Sequence, residues 1–337
     1  MVKLQDIAAE AGVSVSTVSK VLNNYDGVNE ETRKKVLAIT RKLNYYPNAA
    51  ARQIVTKRSK LLGILFSDSL DVGLEHPFYS KVIESFRTYV NEHDYDVIIM
   101  PSHRKEMSMS YLDHYYYRML EGVFVCTYAG DDQDLNDLFS ANVPVVTTDV
   151  IYKGVPLIVS NNTDACYDAY EYLYKRGHRD IVHLYGPQDT LAGKKRLEGF
   201  IQAEKIKNAQ QDLCTKLAVN NFDFESGYKA LNELLEKRDN ILPDAIIACS
   251  DTVALGVIRA LQDKNYNVPE DCSVIGFDNI EYTAYSSPTL STMAQNSKKI
   301  GELAGETLLK QISGQKVQSK VLIPMQLIER GSTKPNF

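Results

Sequence analysis

Apolar positions recur at helical spacing on both sides of Gly12 in the stretch Leu4–Leu22, which predicts two short helices joined by a tight turn that glycine permits. Ile7, Val13, Val18 and Val21 would supply their shared core, and Ala8 is small enough for a close helix crossing. A third amphipathic helix is expected over Glu30–Leu43, with Val36, Ile39, Thr40 and Leu43 on one side and Arg33, Lys34, Lys35, Arg41 and Lys42 elsewhere. From Leu61 the pattern changes. Short apolar runs at Leu61–Phe66, Val97–Met100, Val123–Cys126, Val145–Thr148, Ile181–Tyr185, Ala245–Cys249 and Val274–Phe277 read as strands buried on both faces. Between them Phe78–Asn91, Ala165–Lys175, Leu191–Glu204, Glu225–Leu235, Val253–Gln262 and Ile300–Ile312 read as helices. Such alternation predicts an α/β body of parallel sheets with right-handed crossovers, and so long a run of it is more than one sheet needs. Two lobes are therefore expected, with ligands at the C-terminal strand ends between them.

The 337 residues carry a formal charge of −5 that is unevenly distributed. Residues 1–60 hold 11 Lys and Arg against 5 Asp and Glu, a net +6, which leaves −11 for the rest. A small basic head on an acidic body suggests that only the head meets a polyanion. Five cysteines, Cys126, Cys166, Cys214, Cys249 and Cys272, show no CxxC spacing and sit mostly in apolar surroundings, which fits packed, reduced thiols. No apolar run is long enough for a bilayer and no signal peptide is visible. A cytoplasmic protein without a membrane partner is expected.

The second predicted helix is the chemically informative one. Ser14 is placed to cap it, and its outward face carries Val15, Ser16, Thr17, Ser19 and Lys20, the short polar and cationic side chains that enter a major groove. After Tyr45-Tyr46-Pro47 comes Asn48-Ala-Ala-Ala-Arg-Gln-Ile-Val55, enough for one or two helical turns but too short to be stable alone.

Asp6-Ile-Ala-Ala, Gly12-Val-Ser, Thr17-Val-Ser, Val21-Leu-Asn23 and Tyr46-Pro-Asn-Ala-Ala-Ala-Arg52 together resemble the heads of the lactose-repressor (LacI/GalR) family of bacterial regulators. The resemblance extends along nearly the whole chain. It implies a helix-turn-helix head over 1–47, a hinge helix and linker over 48–60, and a body over 61–337 like a periplasmic sugar-binding protein. The body's first lobe would comprise about 61–160 and 292–320, and its second about 161–291 and 321–332. The DNA contacts implied are Ser14, Val15, Ser16, Thr17, Ser19, Lys20 and Asn23, with Ala51, Ile54 and Val55 on a hinge that folds when two subunits occupy operator DNA. Ile54, where the family usually has leucine, would wedge into the minor groove. The chain ends soon after Arg330-Gly331-Ser332, which predicts a homodimer without the C-terminal heptad helix that makes some relatives tetramers.

In the body, several expected strand ends combine carboxylates, a guanidinium and aromatic rings. His76-Pro77-Phe78-Tyr79 follows the first strand, Asp149 ends the fourth, Ser250-Asp251 opens a helix, and Gly276-Phe277-Asp278-Asn279 closes a late strand. Arg196 and Phe222 lie nearby in the pattern. Carboxylates and guanidinium groups each engage vicinal hydroxyls, and an aromatic face covers the apolar side of a sugar ring. Each residue also has an ordinary reading: Asp251 or Asp278 as a helix cap, Arg196 as a surface ion-pair partner, Phe222 as core. The resemblance puts Asp149, Arg196, Phe222 and Asp278 at effector-touching positions and Phe78 with Tyr79 on the first-lobe wall. Ser250 stands where sugar-responsive members have asparagine, and Asn161-Asn162 replaces a commoner Asp-Asn. Asp251 and Gln295 complete the candidate set.

Enzyme motifs fail. Gly186–Lys195 approaches a phosphate loop, but six residues rather than four separate the glycines and no Ser or Thr follows the lysine. There is no GxGxxG after the first body strand, no GxSxG elbow and no metal spacing among the histidines. No cofactor is expected. The sequence thus points to a DNA-binding transcriptional regulator, a repressor of a carbohydrate-utilisation operon controlled by a sugar effector. The alternatives are a purine or phosphorylated carrier protein as signal, a solute receptor of the sugar-binding type, or an α/β enzyme.

Overall fold

The computed structural model describes residues 2–22, 25–45, 58–66, 73–100, 109–127, 133–206 and 215–334. The chain divides into two compact units, Met1–Ser59 and Lys60–Phe337.

In the head, α1 (Leu4–Ala11), α2 (Val15–Leu22) and α3 (Glu30–Lys42) enclose Ile7, Ala8, Ala11, Val18, Val21 and Val36. Gly12 ends α1 at φ +67°, a left-handed conformation that a side chain would oppose. Ser14 caps α2, its Oγ accepting the Thr17 N–H at 3.1 Å. Asn29 caps α3, its Oδ1 accepting the Thr32 N–H at 2.7 Å.

The body holds two six-stranded sheets among its described residues. In chain order the first lobe contributes β1 (Leu61–Phe66), α4 (Tyr79–Asn91), β2 (Asp96–Met100), α5 (Tyr111–Tyr117), β3 (Gly122–Thr127), α6 (Gln133–Ser140), β4 (Val145–Thr147) and β5 (Leu157–Ser160). The second contributes α7 (Asn162–Lys175), β6 (Ile181–Tyr185), α8 (Leu191–Ile206), β7 (Lys216–Ala218), α9 (Phe224–Lys237), β8 (Ala245–Ala248), α10 (Asp251–Asp263), β9 (Ser273–Asp278) and β10 (Ser291–Ala294). The chain then returns through α11 (Ser297–Ile312) and β11 (Lys320–Ile323) to the first lobe and ends with β12 (Gln326–Ile328) in the second. The sheet orders are β11-β5-β4-β3-β1-β2 and β12-β10-β9-β8-β6-β7. All pairs are parallel except β10 with β12.

Parallel strands covered on both faces need apolar residues at successive positions, and β3 is buried throughout. Each sheet has a core on either side, formed around Phe86 and Phe124 or Leu65 and Tyr111 in the first lobe, and around Leu231 and Val257 or Tyr170 and Phe200 in the second. The chain crosses between sheets after β5, after β10 and after β11. The last two crossings come a few residues later than the expected lobe limits at 292 and 320, because Ser291–Ala294 pairs with β9 and Lys320–Ile323 pairs with β5. No helix among the described residues is long and apolar enough to cross a membrane.

Candidate functional site

The ends of β3, β4, β5, β8, β9 and β10, with residues from the segments after β1, β6 and β7, converge on a cavity of about 280 Å³ between the two sheets. Eight of the nine candidate effector residues line it: Phe78, Tyr79, Asp149, Arg196, Phe222, Ser250, Asp278 and Gln295.

Arg196, on α8, is 2% exposed and forms the floor. Its Nε donates to Asn162 Oδ1 at 2.8 Å, its Nη1 to the Cys249 carbonyl and its Nη2 to Asp278 Oδ1 at 3.3 Å, while its Cζ lies 4.4 Å from the Phe277 ring centroid. Gln295 Nε2 donates to the same Asp278 oxygen at 2.7 Å. Burial raises the Asp278 carboxyl above its usual range, opposed by Arg196 and by the Gln295 hydrogen bond.

Asp149 belongs to the first lobe and accepts from Thr127 Oγ1 at 3.2 Å. Burial raises its pKa to about 7, although hydrogen bonds from Thr127, Tyr79 and the Ala192 N–H and the positive charge of Arg196 all favour the carboxylate. His76 Nδ1 accepts the N–H groups of Phe78 and Tyr79 at 3.3 and 3.4 Å. This fixes a neutral ring, consistent with burial lowering its pKa to about 4.

Ser250 lines the wall, yet its hydroxyl is engaged: Oγ accepts the Val253 N–H at 3.1 Å as the cap of α10 and approaches the Phe222 carbonyl at 3.3 Å. Asp251 corrects the sequence expectation. Its carboxylate is fully buried and absent from the cavity wall; in the interior it accepts from Thr292 Oγ1 at 2.6 Å and the Ile280 N–H at 2.9 Å. The first residue of α10 points away from the cleft, so the polar character that suggested a ligand contact serves the interior.

The cavity also gathers residues outside the candidate set, among them Thr127, Thr148, Asn162, Thr190 and Thr252. They are common residue types, and only their places at strand ends could have singled them out. Among the described lining residues Arg196 is the sole Lys or Arg, against Glu75, Asp149, Asp223 and Asp278.

In the head, Ser14, Val15, Ser16 and Lys20 are exposed and Thr17 and Ser19 half-buried, while Val18 and Val21 turn inward. Helix α2 thus presents Ser16 and Lys20 one turn apart on a solvent face. Asn23 and the hinge candidates Ala51, Ile54 and Val55 lie outside the described residues.

Residues 3–48 match the family described as bacterial regulatory proteins, lacI family, and residues 170–333 match the periplasmic binding protein-like domain. The HTH-type transcriptional repressor PurR of Photorhabdus laumondii is 32% identical over 339 residues, covering 98% of this chain and 97% of that protein. The HTH-type transcriptional repressor CytR of Escherichia coli strain K12 is 31% identical over 335 residues, covering 98% and 96%. Among solved structures, the lac repressor dimer bound to operator and the anti-inducer ONPF superposes with a TM-score of 0.85 at 28% identity, covering 98% of this chain and 99% of that one. The transcriptional regulator CelR in complex with cellobiose gives 0.71 at 26% identity, covering 98% and 100%.

Proposed function

The chain belongs to the lacI family of bacterial regulatory proteins and is a transcriptional regulator rather than an enzyme; from that premise we propose a homodimeric repressor whose effector is a small neutral carbohydrate. The observation that carries the ligand class is the charge layout of the cavity. Its one Lys or Arg side chain among the described lining residues is already engaged by Asp278, Asn162 and the Cys249 carbonyl, and His76 is neutral. A phosphate or carboxylate would find no uncommitted cation and several carboxylates. Vicinal hydroxyls would find acceptors at Asp149 and Asp278, and Phe78, Tyr79 and Phe222 offer aromatic surface to a sugar ring. The cavity volume sits at the small end of the roughly 300–1,000 Å³ usual for ligand sites, and the cellobiose bound to CelR supports a sugar.

The DNA-binding element is α2, with Lys20 reading guanine or a phosphate from its exposed end. One short helix reaches only a half-site, so two subunits on a roughly palindromic operator are required, as in the lac repressor dimer on its operator. Such a protein works in the cytoplasm, where the DNA is. Residues 48–60 join head to body and would carry the effector's signal, with Ile54 entering the minor groove.

A thermal-shift screen of neutral mono- and disaccharides, their phosphates and purines tests the ligand class, because binding to the folded state raises the midpoint by mass action. A neutral sugar should raise it and sugar phosphates should not. A response confined to purines or to phosphorylated compounds would overturn the assignment.

A further inference from the structure

Strand β9 ends in two consecutive non-glycine residues with left-handed backbone, Asp278 at φ +111° and Asn279 at φ +57°. Side chains are rarely found there, and such strain persists only where the surroundings over-determine it. Two fully buried side chains, Asp251 and Thr292, and the half-buried Arg330 do so. Asp251 Oδ2 accepts the Ile280 N–H at 2.9 Å, and its carboxylate also draws on the Asn279 N–H. Thr292 Oγ1 donates to Asp251 Oδ1 at 2.6 Å and accepts from the Asn279 N–H at 3.3 Å. Arg330 Nη2 holds Asn279 Oδ1 at 2.7 Å while its Nη1 holds the Leu290 carbonyl at 2.7 Å and Thr283 Oγ1 at 3.1 Å. A Cβ on Gly276 would lie 2.3 Å from Asp251 Oδ1, so glycine is what admits that carboxylate beneath the turn.

Neither Asp251 nor Thr292 reaches the cavity, and both are fully buried. What they hold is the residue that does: with the turn fixed, Asp278 Oδ1 meets Gln295 Nε2 and Arg196 Nη2 together. We propose that Asp251 and Thr292 are positioning residues for effector recognition, clamping the strained Asp278–Asn279 turn so that the Asp278 carboxylate faces the cavity. The proposal rests on the reading of the cavity as the effector site. Without the clamp the turn relaxes toward ordinary backbone and the carboxylate swings off Arg196 and Gln295.

The test uses the full chain with Thr292→Val, which removes the hydroxyl, Thr292→Ser, which keeps it, Asp278→Asn, and the Thr292→Val/Asp278→Asn double variant. Two readouts are taken: the ¹³C titration of the Asp278 carboxyl, which needs no ligand, and calorimetric affinity for the tightest neutral sugar of the screen. Thr292→Val should move the Asp278 titration by about one pH unit, a tenfold change in its proton equilibrium, and weaken sugar binding about tenfold. Thr292→Ser should restore both. In the Asp278→Asn background Thr292→Val should change sugar affinity hardly at all, because there is no carboxylate left to aim. Should Thr292→Val fail to fold, Thr292→Ala, which also removes the hydroxyl, replaces it with the same expectations. An unshifted Asp278 titration, or equal loss of affinity in both backgrounds, would overturn the proposal. If no sugar binds the wild type, the carbohydrate reading fails, and the carboxyl titration still decides the clamp.

Discussion

Arg196→Ala removes a guanidinium that donates to Asn162, the Cys249 carbonyl and Asp278 from a site 2% exposed to solvent. Three acceptors lose a donor at once, one of them a buried carboxylate left with Gln295 alone among the side chains that donate to it. Breaking a buried ion pair from one side costs about 3–5 kcal/mol, a large share of the roughly 5–15 kcal/mol that holds a protein folded. At about 2–4 °C per kcal/mol for a domain of this size class, the melting midpoint should fall by on the order of ten degrees. The variant therefore confuses loss of effector binding with loss of fold. Asp278→Asn is the cleaner probe: Arg196 keeps Asn162 and the Cys249 carbonyl, so a regulator that holds operator and binds its effector roughly tenfold or more weakly is expected there. Adding Asp278→Asn to Arg196→Ala should recover part of the lost stability, since an amide needs no cation beside it. Calorimetric melting of the four proteins checks this. An Arg196→Ala midpoint within about a degree of wild type would mean that the pair contributes little and that the reasoning from its burial is wrong.

Lys20→Ala should weaken operator binding in a gel-shift titration; a base contact would alter sequence preference, whereas a phosphate contact would weaken all sites alike and flatten the salt dependence. Ile54→Ala should leave sugar affinity nearly intact while lowering specific operator affinity by about tenfold or more, and a variant that binds and releases operator like wild type would make 48–60 a passive tether. The Asp149 carboxyl, held at about 7 against an ordinary 3.8, binds a proton in the folded state that the unfolded chain has lost, so its contribution makes stability fall as pH rises from about 4 to about 7. His76 and His183, both lowered from 6.5 to about 4 by burial, act oppositely, their stability being lost as pH falls from 6.5 toward 4. In Asp149→Asn that contribution is removed, so stability should fall less between pH 4 and 7 than in the wild type; urea midpoints that follow the wild-type pH profile in parallel would refute the Asp149 assignment.

The elements legible in the sequence were those whose burial demanded uninterrupted apolar residues. Leu61–Phe66 and Ile181–Tyr185 were expected with the limits the structure shows. Among the described residues five strands escaped notice: Leu157–Ser160 and Lys320–Ile323 hold only three consecutive apolar residues each, and the other three lack such runs. Lys216–Ala218 and Gln326–Ile328 are three-residue edge strands, and Ser291–Ala294 is buried through hydroxyls that bond Arg330, Thr333 and Asp251. Helix α5, with four aromatic residues in seven, shows no apolar stripe by which to recognise it. At the site, strand-end position and residue type together pointed to Asp149 and Asp278. The Arg196–Asp278 contact spans 82 positions, and only the sheet order brings it about. Asp251 shows the limit of local reading, because Ser250-Asp251 looks alike whether the acid turns to the cleft or to the interior.

Two of the three chain crossings carry side chains of the Arg196 cluster: Asn162 follows β5 and Gln295 follows β10. A ligand that bridges Asp149 of the first lobe and Asp278 of the second would therefore act at the pivot of the body instead of at its jaws. Pivots trade force for travel. From the cavity back to Leu61, where the body's first strand begins, β1 spans six residues, a lever arm of roughly 20 Å at about 3.3 Å per residue. A rotation of only a few degrees about the crossings would displace that end by about 1 to 2 Å, the scale on which switching interfaces respond. A small solute could in this way shift the anchorage of a DNA-binding head without touching it.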